Sequence, residues 1–181
     1  MTKLTKSEQN KAGTEYENKF TLRGHKYGID NLLFSPNMSY LISLGDTNDR
    51  GLFVWDWCKE QRITSNKLGK PVTHIAFSPN NDFFVTAGIS HLKFWYFNED
   101  GTVIKTPTSQ NEHIMESKPA DLGKVKIKSF VGVEISKPEE EGKGVQVFAL
   151  TCDGHLYIYD KERKMQKWMN IKVEKAFSCT L

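Results

Sequence analysis

Gly24-His25-Lys26-Tyr27-Gly28-Ile29-Asp30-Asn31-Leu32-Leu33-Phe34-Ser35-Pro36-Asn37-Met38-Ser39-Tyr40-Leu41-Ile42-Ser43-Leu44-Gly45-Asp46-Thr47-Asn48-Asp49-Arg50-Gly51-Leu52-Phe53-Val54-Trp55-Asp56 is the stretch from which the fold is read. After Gly24-His25, the side chains of Ile29, Leu32 and Phe34 make a strand of imperfect alternation, and Pro36-Asn37 makes the hairpin turn. Tyr40 to Leu44 form a second strand. Gly45 to Gly51 is dense in residues that tolerate turn geometry, and Leu52 to Trp55 form a third strand that closes on Trp55-Asp56. Arg62 to Asn66 supply a fourth, outer strand.

The pattern then restarts. Val72 to Phe77 alternates, Ser78 to Asp82 turns, Phe83 to Ala87 runs back, and Leu92-Lys93-Phe94-Trp95 closes the unit. Phe34-Ser35-Pro36 and Phe77-Ser78-Pro79 stand 43 positions apart, and Trp55 and Trp95 stand 40 apart. The longer loop before Leu52 absorbs the difference, because a connection lengthens cheaply. A third unit is weaker. Asn98 to Lys124 is polar and loop-like, with an outer strand for the second unit expected at Thr102 to Lys105. Val125 to Ile135 reads as a strand, Lys137 to Gly144 as an exposed acidic loop, and Val145 to Thr151 as the returning strand. Asp153-Gly154 is a hairpin signal leading into Leu156 to Asp160, with Tyr159-Asp160 where Trp-Asp would stand. Met165 to Ile171 supply its outer strand, and Ala176 to Leu181 resembles the first strand of a fourth unit. The expected division is a flexible polar tail over 1–17, units at about 18–66, 67–106 and 125–171, a loop over 107–124, and an incomplete unit over 175–181.

Composition narrows the function classes. In 181 residues there are 25 Lys and Arg against 22 Asp and Glu, a formal charge of +3 that gives no field strong enough to argue for nucleic acid. Cys58, Cys152 and Cys179 are an odd count without CxxC spacing, which argues against a zinc cluster and a disulfide framework. Met1 to Lys19 lack the apolar stretch of a secretory signal, and no run approaches the ~20 apolar residues of a membrane span. The expectation is a cytoplasmic protein with neither nucleic-acid nor membrane partners.

Short strands closing on Trp-Asp, at a period of about 40 to 45 residues, resemble the WD-repeat β-propeller. The fold class expected is all-β: a partial WD-repeat propeller of about three four-stranded antiparallel blades plus the first strand of a fourth. Trp55, Trp95 and Tyr159 suit the gaps between adjacent sheets, where a large flat side chain buries on the order of 150 to 250 Å². Closed propellers have about 4 to 8 blades, so three units leave an open edge and an exposed face. The polypeptide is therefore expected to be a fragment, a truncated product or part of a split propeller completed by further C-terminal blades or a second chain, and alone to associate.

The WD-repeat resemblance also implies a hydrogen-bonded set within each blade: His25, Ser43, Asp49 and Trp55 in the first unit. The second keeps Thr86 and Trp95. There Lys67 replaces the Gly of Gly-His and Ile89 stands where Asp would, so that blade is expected to rely on packing more than on the polar set. Asp153 and Tyr159 are the corresponding residues of the third. The wording of the units, Gly24-His25-Lys26-Tyr27-Gly28, Phe34-Ser35-Pro36-Asn37, Val54-Trp55-Asp56-Trp57, Ser65-Asn66-Lys67, Phe84 to Gly88 and His91 to Tyr96, is similar to the first propeller of the mitogen-activated protein kinase-binding protein 1 family. That resemblance covers Gly24 to Tyr96, and more faintly Val145 to Trp168. It implies a large scaffold of stress-kinase signalling, in some members at the centrosome and spindle pole.

No phosphate-binding Gly-rich loop, metal-ligand cluster or Gly-x-Ser-x-Gly element is present, so neither an enzyme nor a cofactor is expected. A His and an Asp at this separation suggest acid–base catalysis, but no nucleophile or second base stands at a motif spacing. The expected function is a non-catalytic protein–protein interaction scaffold in kinase signalling assemblies. Its partner-facing loops would present Asp46, Asn48 and Arg50, then His91, then Glu139, Glu140 and Glu141; His91 and His155 both read as surface residues. The alternative is an architectural propeller on microtubules, the centrosome or the ciliary base, with Lys161-Glu162-Arg163-Lys164 touching the acidic surface of tubulin. That cluster reads equally as an ordinary charged turn.

Overall fold

Runs of five to seven residues, apolar or alternating and bounded by Pro, Asn, Asp and Gly, have no room for a helix and pair instead as antiparallel strands. A computed structural model describes residues 21–98, 103, 105–107, 113–123, 129–137 and 144–171. The polar tail over 1–17, the incomplete unit over 175–181 and Glu139-Glu140-Glu141 lie outside the described residues.

The first sheet is β1 (Ile29–Phe34), β2 (Leu41–Gly45), β3 (Gly51–Asp56) and β4 (Gln61–Lys67), in that order across the sheet. The second begins with β5 (Val72–Phe77), β6 (Phe83–Gly88) and β7 (His91–Tyr96). A two-stranded hairpin follows, β8 (Lys105–Pro107) and β9 (His113–Met115), and then β10 (Ser117–Pro119) pairs with β7 to complete the sheet. The third is β11 (Phe130–Ile135), β12 (Val147–Thr151), β13 (His155–Tyr159) and β14 (Met165–Asn170). Strands β1, β5 and β11 lead their sheets, and β5 packs against both of the others.

The second blade corrects the sequence reading. Its outer strand is β10, not Thr102 to Lys105, and the expected loop over 107–124 contains β9 and β10. The signal was weak because Ser117-Lys118-Pro119 is three residues long and contains Pro, which only an edge strand tolerates. The intervening hairpin turns back onto the first blade. There the Asn66 side-chain amide accepts from the Met115 N–H and donates to the Met115 carbonyl, both at 3.0 Å, and the Met115 side chain is buried.

Period two divides each strand between two interfaces. Ile42, Leu44, Leu52 and Val54 of the first sheet meet Phe84 and Trp95 of the second, together with Leu68, Val72, Phe97 and Met115. On the opposite face of the second sheet, Phe83, Val85, Leu92 and Phe94 meet Val133, Val147, Ala149, Tyr157 and Tyr159 of the third. Each blade thus turns its closing aromatic towards the blade before it. In the first blade that face carries Phe53 and Trp55, and residues 24 and 25 cover it: a Cβ at Gly24 would lie 2.7 Å from the Trp55 ring.

The two Ser-Pro-Asn turns share one geometry. Met38 N–H donates to the Ser35 carbonyl at 2.8 Å and Asn81 N–H to the Ser78 carbonyl at 3.0 Å, with Met38 and Asn81 both left-handed at φ 58° and 61°. Asn tolerates that region better than Met, because a short polar side chain bonds locally there. On β1, Ile29, Leu32 and Phe34 are exposed, beside Tyr27 and Met38.

Candidate functional site

The polar set of the first blade follows from a requirement of burial: the indole N–H of Trp55, 3 % exposed, needs an acceptor. Ser43 supplies it at 2.8 Å from β2, and the same hydroxyl lies 2.7 Å from Nε2 of His25. The His25 Nδ1 lies 2.9 Å from Oδ1 of Asp49. Asp49 also accepts the backbone N–H groups of Lys26, Tyr27 and Gly51. Burial pushes the Asp49 carboxyl up, but His25 and those three amides outweigh it and hold the group down at about 2. One assignment satisfies every group: Trp55 donates to Ser43, Ser43 to His25, and His25 to Asp49.

Ser43, His25 and Asp49 have the connectivity of a nucleophile, base and orienting acid. Here the hydroxyl both accepts and donates within the set and is buried at 2 % exposure, so it presents no nucleophile to a substrate. Its chemistry is structural: it pins residues 24 to 28 across β2 and β3.

In the second blade the structure overturns two expectations. His91 is buried, not partner-facing, and the blade keeps a polar relay, so packing is not its only support. Trp95 Nε1 donates to Thr86 Oγ1 at 2.8 Å, and Thr86 lies 2.8 Å from His91 Nε2. His91 stands four before Trp95, on the same face of β7, where the first blade has Gly51 four before Trp55. A Cβ at Gly51 would point at Asp49 and at His25 Nδ1, 2.5 and 3.5 Å away, so a side chain from this position enters the histidine site. The imidazole thus arrives from the third strand instead of from Gly-His, and Leu68 is buried in the core between the first two sheets. The readable signal was a His two strand periods before Trp95. Burial, with the charge of Lys93, pushes His91 down to about 4, so it is neutral near pH 7.

In the third blade no such relay forms among the described residues. Ala149 pairs with Tyr157, two before Tyr159, as Ser43 pairs with Phe53 and Thr86 with Lys93. Tyr159 is fully buried, its hydroxyl meets no partner among the described residues, and burial pushes its pKa up. Asp153 is exposed and serves its own turn, accepting from Thr151 Oγ1 at 2.5 Å with His155 Nδ1 3.3 Å away.

The loop over 45–51 divides similarly. Asp46 accepts the N–H groups of Gly28, Asn48 and Asp49, and those bonds, Asp49 foremost, lower its pKa. Asn48 is exposed, whereas Arg50 is half-buried at φ 50° with Nε unpartnered among the described residues.

Residues 16–56 and 59–104 match the family model described as WD domain, G-beta repeat. The structure superposes on that of U3-55K with a TM-score of 0.59 at 13% identity, covering 85% of this chain and 42% of that one. This is a WD-repeat protein. The WD-repeat chain resembles mitogen-activated protein kinase-binding protein 1 of Mus musculus, at 32% identity over 155 residues, 86% of this chain and 10% of the relative. It is also similar to cilia- and flagella-associated protein 52 of Bos taurus, at 36% over 76 residues, 39% of this chain and 12% of that protein. The chain spans about a tenth of the length of these curated relatives.

The contrast between blades is measurable. Ser43→Ala strands the Trp55 N–H and His25 Nε2, and urea unfolding is expected to show a loss of about 2 to 3 kcal/mol. Tyr159→Phe removes a hydroxyl that has no partner among the described residues and is expected to leave stability within about 1 kcal/mol of the parent, or to raise it.

Stability should also depend on pH in two steps. His91 is neutral in the fold to about 4, whereas the unfolded chain takes up that proton below about 6.5. The contribution, on the order of 3 kcal/mol, is complete above pH ~6.5 and is lost as pH falls towards 4. Asp49, depressed to about 2, adds a second loss between pH ~4 and 2. Melting temperatures across this range are expected to show a smaller upper step and an unchanged lower one in His91→Gln, because burial also lowers the pKa of His74.

Proposed function

We propose that this WD-repeat chain is a non-catalytic interaction scaffold, cytoplasmic, serving a kinase-signalling assembly. The observation that carries the reading is the similarity to mitogen-activated protein kinase-binding protein 1, which runs over 155 residues and so extends beyond the two matched repeats. The buried relays support it, because they spend the reactive side chains on rigidity and leave turns on a stiff frame to meet partners. Immunoprecipitation of the tagged chain from cell extract, probed for mitogen-activated protein kinases, is expected to recover a kinase. Recovery of tubulin or axonemal proteins without a kinase would favour the second reading, an architectural role at microtubules, centrosome or ciliary base. That second reading draws on the similarity to cilia- and flagella-associated protein 52.

The working assembly is further proposed to cover the apolar face of the first blade with another sheet, from this protein or a second chain. Leu32 and Phe34, at 56 % and 43 % exposure, support this reading. Light scattering of the 181-residue polypeptide is expected to show oligomers. A compact, monodisperse monomer would overturn the idea.

A further inference from the structure

Turns from all three blades meet on one side of the molecule: 35–38 between β1 and β2, 78–82 between β5 and β6, and 160–164 between β13 and β14. With β10 they line an open cavity of about 640 Å³. Its walls are tied together across blades. The Tyr96 hydroxyl donates to the Lys161 carbonyl at 2.7 Å, Arg163 Nη1 to the Pro119 carbonyl at 3.1 Å, and Asn37 N–H to Asn81 Oδ1 at 2.9 Å. The Asp121 N–H closes onto the Arg163 carbonyl at 3.1 Å. Such a site is largely preformed, so a ligand entering it need not order the walls.

The lining has three kinds of chemistry. Phe83, Tyr96 and Phe97 make an aromatic wall. Lys118, Lys161 and Arg163 contribute three positive charges against Asp82 and Glu162; Arg163 is tied to the Pro119 carbonyl, and Lys161 and Glu162, 3.9 Å apart, are both exposed. Asp82 adds a half-buried carboxylate to the lining, an acceptor for a ligand N–H. Asn80 and Asn81 add amides that pair with either side of a peptide group.

We propose that this cavity docks an extended peptide of a partner protein in which an aromatic side chain is flanked by acidic residues. The ring packs over Tyr96, the carboxylates face Lys118 and Lys161, and a backbone N–H of the peptide reaches the Asp82 carboxylate. The proposal rests on the interaction reading above and gives it a surface and a ligand class.

Fluorescence anisotropy tests it with a short fluorescein-labelled peptide, a central phenylalanine flanked on both sides by Asp and Glu. Counterparts carry Lys for the acidic residues or Ala for the phenylalanine. The acidic aromatic peptide is expected to bind at low salt, and both counterparts to bind roughly tenfold more weakly or worse. Lys118→Glu/Lys161→Glu, two exposed positions, is expected to weaken it by a similar factor. Lys26→Glu/Lys70→Glu changes the net charge equally away from the cavity and is expected to leave binding unchanged. No binding, equal binding of the acidic and lysine peptides, or equal loss in both double variants overturns the proposal. If partners recovered by immunoprecipitation are still recovered by Lys118→Glu/Lys161→Glu, this site is wrong while the interaction role stands.

Discussion

A tryptophan buried on the face of a sheet brings an indole N–H into a place without water, and the fold depends on giving that group an acceptor. Ser43 and Thr86 do so from the neighbouring strand, each at 2.8 Å. Each hydroxyl then has a proton to place, and an imidazole receives it, which fixes the chain that carries the histidine. In the first blade that chain is residues 24 to 28, whose amides Asp49 also holds. In the second blade it is β7 itself, so the relay there stiffens one hairpin and does not reach the entering chain. The same hydrogen-bond need thus has two covalent solutions. The choice is governed by which residue stands four before the Trp, Gly51 or His91.

Alternation carries this local order to the whole arc. Because successive residues of β6 point to opposite faces, Phe84 packs with Trp95 towards the first blade while Phe83, Val85 and Ala87 pack towards the third. One strand therefore belongs to two cores, and a register slip of one residue would exchange them. The inserted hairpin uses the same logic from outside. Met115 reaches the first of these cores, and the Asn66 amide satisfies the backbone that brings it there. Burial of an insertion against an outer strand keeps its length from loosening the blades.

Much of this was legible in the residues and some was not, for identifiable reasons. The repeated Phe-Ser-Pro turns and the closing Trp55 and Trp95 expose the period, since a turn type and a gap-filling ring each tolerate few residues. The set of His25, Ser43, Asp49 and Trp55 follows from its resemblance to known repeats. His91 escaped because a histidine beside a turn looks exposed until strand pairing shows that its face is the one shared with Trp95. Strand β10 escaped because three residues with a proline give almost no propensity signal, and its pairing is decided by the unfilled edge of β7. The turn-face cavity could not be read at all: Asn37, Asp82, Lys118 and Arg163 are far apart in sequence, and only the stacking of three blades brings them together.

The relays also bear on where function can reside. In a catalytic triad the hydroxyl must be free to leave its proton and attack. Ser43 instead receives an N–H from Trp55 and lies beneath the chain it anchors. Adding a substrate there would require removing residues 24 and 25 from the Trp55 ring, which Gly24 touches too closely to admit even a Cβ. The polar groups most suggestive of chemistry in the sequence are thus consumed in holding the sheets. What remains available are groups that the frame positions but does not need, such as Lys118, Lys161 and Asp82. A scaffold built this way separates rigidity, buried in the blades, from recognition, carried on turns that can vary without cost to the relay.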